Sequence, residues 1–147
     1  MTAQGADYAY MKGVKNLLFT NPLENYWNEY NPRPNFVIQN TALFRGYVAT
    51  WEIINNCLYL IDIVYYSDLG QCGLNNLFPY GGDKIKADWF TGELKIPKGE
   101  RLKYIHMGYV SKYERFLYLE FKDGLLVKRR LEVTDKSELD FDPFKLL

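Results

Sequence analysis

Two short pairs of residues constrain this chain more than any other feature. Asn55-Asn56 and Asp123-Gly124 each stand between runs rich in β-branched and aromatic residues, and such dipeptides reach the left-handed backbone that a two-residue hairpin demands. Residues 44–54 and 57–66 flank the first pair, and residues 115–122 and 125–133 flank the second. Further strands are expected near 85–90 and 93–97 about a turn at Thr91-Gly92. One more is expected near 102–107, after the turn Lys98-Gly99-Glu100. Helix signals are confined to the start. Asn21-Pro22-Leu23-Glu24 supplies a cap, a proline and an acid in the first turn, which predicts a helix over 22–30. Asn31-Pro32-Arg33-Pro34 ends it.

The chain therefore divides into a helical or irregular segment over 1–34, a sheet over 35–133 and a tail over 134–147. Parallel strands need a crossover, usually helical, and nothing after residue 35 reads as one. The expected fold is mainly β: a single antiparallel meander of about eight strands. It should be strongly bent, as a partly closed barrel or two layers, with a short N-terminal helix at one opening.

A tight Asn55-Asn56 turn sets a register. Ile53 then faces Leu58, Trp51 faces Leu60 and Tyr47 faces Val64, while Val48 meets Ile63 and Thr50 meets Ile61 on the other side. Both faces are largely apolar, so this hairpin is expected to be central and covered on both sides. Asp62 falls on the face of Trp51 and Leu60, near Arg45 on the adjacent strand, and a structural Arg45–Asp62 pair is the expected reason for an acid in an apolar run.

Charge excludes some partners. The 147 residues carry 18 basic and 18 acidic side chains, so no global field favours nucleic acid or an anionic membrane. No run approaches the apolar length of a membrane span, and residues 1–11 lack a leader pattern. Cytoplasmic location and reduced Cys57 and Cys72 are the corresponding expectations. Aromatic residues make up 17% of the chain. The tyrosines outside the strands exceed what a core requires and suit a contact surface.

Candidate chemistry is sparse. His106 is the only histidine and so the only ordinary general base near neutral pH; its bland role is a hydrogen bond at a strand end. One histidine and two separated cysteines do not form a zinc set, and neither cysteine lies in an activating motif. No phosphate-binding glycine pattern occurs, and no cofactor is expected. Residues 67–84, rich in Gly and Asn, form the one long irregular element, and such loops often bind ligands. A pocket there would be bordered by Asp62, Tyr66, Asp88 and His106. If the loop instead forms a convex patch, Tyr80 is its contact residue. The basic run Lys128-Arg129-Arg130 reads as a salt-bridged outer face, with Glu114, Glu120 and Asp123 available as partners.

Residues 44–53 (Phe-Arg-Gly-Tyr-Val-Ala-Thr-Trp-Glu-Ile) and 87–94 (Ala-Asp-Trp-Phe-Thr-Gly-Glu-Leu) resemble segments of small uncharacterised bacterial proteins. The resemblance implies a bacterial or phage origin and assigns no catalytic residue. Size, neutral charge and surplus tyrosine point first to a non-catalytic protein that binds a protein partner, such as an immunity, antitoxin or anti-defence factor; homodimerisation is compatible with this. The alternative is a bent sheet that holds a small ligand such as a nucleotide, a sugar or an apolar molecule. A hydrolase or lyase using His106 and a carboxylate is the third reading.

Overall fold

The computed structural model describes residues 5–104, 109 and 111–135. His106 and almost all of the 134–147 tail lie outside the described residues. The strands are β1 (Asp7–Met11), β2 (Val14–Leu18), β3 (Tyr47–Ile54), β4 (Cys57–Ser67), β5 (Gly70–Cys72), β6 (Ile85–Lys86), β7 (Gly92–Lys103), β8 (Lys112–Lys122) and β9 (Leu125–Val133). They form one sheet in the order β2-β1-β3-β4-β9-β8-β7, with β5 and β6 also paired to β4. Among the described residues helix is limited to two 3-10 turns, Pro22–Asn25 and Thr41–Leu43, and to α1 (Leu74–Leu77). The mainly-β expectation holds; three of its details change.

The first change is at the N-terminus, which is a hairpin rather than a helix. Lys12 and Gly13 have φ of 50° and 79°, the pair of left-handed residues that turns β1 antiparallel onto β2. The helix expected over 22–30 stops after Pro22–Asn25. Asn21 makes no capping bond, and the Asn28 carboxamide oxygen accepts the amides of Tyr30 and Asn31, a local turn that competes with helix.

The second is the sheet, which is mixed. β1 runs parallel to β3, with Tyr8 beside Thr50 and Met11 beside Ile53. The crossover that parallel pairing requires comes before residue 35 as well as after it. It is β2 with the irregular chain up to Gly46, so helix was not needed to make it. The sheet does not close into a barrel: β7 meets the chain beyond β2 through Phe19 N–H to the Lys95 carbonyl (2.8 Å) and Lys95 N–H to Thr20 Oγ1 (2.8 Å).

The third is a register shift between Thr50 and Trp51 in the β3–β4 hairpin. Asn55 and Asn56 form the expected turn, at φ of 50° and 64°, and Ile53–Leu58 and Trp51–Leu60 pair as expected. Thr50 then meets Asp62, Ala49 meets Ile63, Val48 meets Val64 and Tyr47 meets Tyr65. Ile61 is the extra residue of a bulge, which turns every later side chain of β4 to the other face. Leu58, Leu60, Ile63 and Tyr65 are thus buried, while Asp62 and Val64 are exposed. The hairpin is central in strand order, but only one of its faces is buried.

Gly99 produces no chain reversal. Its φ of 78° marks an irregularity inside β7, where the pairing to β8 shifts between Lys98 and Arg101. Thr91-Gly92 does not join a hairpin either, because β6 pairs with β4 and β7 with β8.

Arg45 is paired, but to Asp7 rather than Asp62. Asp7, fully buried at the start of β1, accepts Arg45 Nη2 at 2.7 Å, the Ala49 amide at 3.0 Å and the Trp51 indole N–H at 3.3 Å. Arg45 Nη1 donates to the Gly5 carbonyl at 2.6 Å and to Tyr109 Oη at 3.2 Å, and Asn21 donates to the same hydroxyl at 3.1 Å. Arg45 Nε, also buried, has no hydrogen-bond partner among the described residues. Burial pushes the Asp7 carboxyl above the usual aspartate range, while the Arg45 charge and the Ala49 amide pull it back. Burial likewise raises the Tyr109 and Tyr47 hydroxyls, the latter donating to Glu24 Oε2 at 2.8 Å.

Removing half of such a pair leaves a buried charge uncompensated, at a cost of about 3–5 kcal/mol. Asp7→Asn is expected to lower stability by about that amount, measured by chemical denaturation. A loss below about 1 kcal/mol would show that Arg45 reaches water.

Candidate functional site

The sheet splits beside β9, and the split makes the main cleft. β9 leaves the Asp123-Gly124 turn, with φ of 50° and 80°, and meets β4 only at Cys57–Leu125. Past that point the edge of β4 is already taken. Ile85 pairs with Leu60, Lys86 with Tyr59, and the Ala87 amide donates to the Leu58 carbonyl at 2.9 Å. Gly124 sits where these chains meet: a Cβ there would lie 2.6 Å from the Ala87 oxygen, so the turn can approach only as glycine. β9 is pushed aside and, past a register shift at Val127, keeps β8 as its one ladder partner over Lys128–Val133 among the described residues.

The cleft between β9 and the β1–β2 turn has a volume of about 580 Å³. Its lining is Met11, Lys12, Lys98, Arg115, Leu117, Arg129, Arg130 and Leu131. Pairing explains the set. Lys98 lies opposite Arg115, and Leu117 opposite Leu131, and directly opposed residues share a face. Arg130, opposite Tyr118, belongs to the other face. That Arg129, Arg130 and Leu131 all line one cleft, although consecutive strand residues point to opposite faces, places it along the edge of β9.

Five of the eight lining side chains are cationic and none is acidic. Arg130 is committed: it pairs with Glu93, bonds Glu132 at 3.2 Å and lies 4.1 Å over the Tyr118 ring. The Glu93 hydrogen bond raises its pKa. Arg115 lies 3.5 Å from Glu114, and Lys98 donates to the neutral Asn16 carboxamide. Lys12 and Arg129 have no acidic partner within 4.0 Å among the described residues. The run Lys128-Arg129-Arg130 is thus salt-bridged at Arg130, by Glu93 of β7 and Glu132 of β9 itself and not by Glu114, Glu120 or Asp123, while Arg129 takes no acid among the described residues. The arrangement can hold an anionic group over an apolar floor of Met11, Leu117 and Leu131.

The residues singled out in the sequence are placed elsewhere. Asp62 is exposed and lines a shallow depression of about 340 Å³ with Ile61, Gly73, Leu74, Asn75, Asn76 and Asp83; Tyr66, Tyr80 and Asp88 are not part of its lining. Tyr66 is half-buried and donates to Gln71 at 3.3 Å, across the short β4–β5 hairpin. Tyr80 is fully exposed. Asp88 is exposed, 3.9 Å from Lys86. Cys57 and Cys72 are free thiols. Cys72, buried, lies 3.4 Å from Ser67 Oγ, and burial and the neighbouring Cys72 raise the Tyr65 hydroxyl.

Among the described residues no group of three or more His, Cys, Asp or Glu could hold a metal ion, and no helix is long and apolar enough to cross a membrane. No protein-family model, curated protein or solved structure matches the chain.

A side chain present for binding is dispensable for folding. Arg129→Glu, at an exposed position without an ionic partner among the described residues, is expected to change stability by no more than about 0.5 kcal/mol, measured by chemical denaturation. A loss above about 1 kcal/mol would make Arg129 part of the framework.

Proposed function

We propose that this chain is a non-catalytic binding protein that engages an acidic segment of a protein partner in the cleft between β9 and the β1–β2 turn. The observation that carries this reading is the lining itself: five cations, no acid and an apolar floor in one depression, on a chain whose net charge is zero. Such local segregation steers and orients an acidic partner. Arginine is also a residue type that dominates interface energies. Immunity, antitoxin and anti-defence roles share this mode of action, in which the protein acts by covering its partner.

A small organic anion is the second reading. It is favoured by the cleft volume of about 580 Å³, within the range of small-molecule sites. The protein-partner reading is preferred because the cations are spread over the β1–β2 turn, β7, β8 and β9 instead of belonging to one phosphate- or carboxylate-binding loop.

The two separate in an NMR titration of the ¹⁵N-labelled chain. The probe is a capped nine-residue peptide, Glu-Thr-Val-Thr-Glu-Thr-Val-Thr-Glu. It is expected to shift the amides of Met11, Lys12, Lys98, Arg115, Leu117 and 129–131, and Arg129→Glu should weaken it by about threefold to tenfold. The same peptide with Lys for Glu should leave these amides unmoved. Equal shifts from citrate alone would assign the cleft to small anions. Shifts centred on Tyr80, or none from any acidic probe, would contradict the site.

A further inference from the structure

The free edge of β9 is a second, independent observation about the same cleft. Over Lys128–Val133 its outward N–H and C=O groups face no strand among the described residues, and the cleft lies along that edge. An exposed edge of this length is a template for another chain. At about 3.3 Å per residue it offers roughly 20 Å of unpaired backbone. Resting on the binding reading above, we infer that the partner segment docks by strand addition: it lies extended against β9 and continues the sheet.

Charge selects the occupant. On the cleft face Arg129 is followed by Leu131 and Val133, so an added strand meets one cation and then apolar side chains. A segment that sets an acid beside Arg129 and an apolar side chain beside Leu131 on one face fits this order, main-chain bonds giving affinity and the alternate side chains giving specificity. Basic side chains on an edge also deter pairing between copies of the same chain. That protection and recognition of an acidic strand are two consequences of one arrangement.

The test uses the nine-residue Glu/Thr/Val peptide in three forms: unmodified, N-methylated at its Glu and Val amides, and N-methylated at its Thr amides. Successive strand amides point to opposite edges, so each pattern blocks one edge of the peptide. Strand addition predicts that one methylated form binds at least about tenfold more weakly while the other stays within about twofold, since a single edge makes the ladder. Equal binding of all three forms at the cleft would overturn strand addition and leave the acidic-partner reading standing. Failure of the unmodified peptide to shift any cleft amide would overturn both. Sedimentation of the chain alone supplies the remaining arm: a dimer abolished by Leu131→Glu would assign the edge to a second copy and overturn the proposal.

Discussion

Asp7 and Arg45 are two opposite charges from distant parts of the chain held where water does not reach the carboxylate, and the fold is arranged so that both are matched. The carboxylate takes an arginine, a β3 amide and an indole; the guanidinium also takes the Gly5 carbonyl and a tyrosine hydroxyl. Separating either member would leave an uncompensated charge in a medium of low dielectric. The pair therefore ties the N-terminal hairpin parallel to β3, holds the end of the crossover in place and, through Tyr109, reaches the segment between β7 and β8.

With β1 and β3 fixed, the Lys12-Gly13 turn stands as one wall facing β9. The other wall depends on competition for one sheet edge. Ile85–Ala87 occupy the edge of β4 beyond Leu58, and the Gly124 turn packs directly on Ala87. The β8–β9 hairpin consequently peels away with its backbone half-used. Function, on this account, comes from incomplete pairing: a sheet that closed neatly would have neither the cleft nor the edge.

The sequence was most legible where local backbone chemistry decides. Asn55-Asn56 and Asp123-Gly124 have positive φ in the structure, and strands on either side of them follow directly. Lys12-Gly13 carries the same chemistry but sits between two strands of five residues, of which β2 is mostly exposed, so the periodicity that would confirm it is weak. The bulge at Ile61 was not legible. It depends on how both strands pack, and missing it sent Asp62 to the wrong face and supplied Arg45 with the wrong partner. Asp7 and Arg45 are 38 residues apart, and no local pattern joins them. The cleft is harder still, since Lys12, Lys98, Arg115 and Arg129 come from four separate stretches. Only the run Lys128-Arg129-Arg130 hinted at it, and strand alternation was the unused clue: Arg129 points away from its two basic neighbours.

Over Lys128–Val133, β9 has a strand on one side only among the described residues. Native-state amide hydrogen exchange, read residue by residue, tests it without a ligand. In an edge strand the amides alternate between the ladder and solvent, so Lys128–Val133 should show slow and fast exchange at successive residues, with the fast set near unprotected rates. The amides of Thr50–Ile53 in β3 and of Leu58–Leu60 in β4, which have chain paired on both sides, should be protected without that alternation. Uniform slow exchange along β9 would mean that another strand already covers the edge, and would contradict the account.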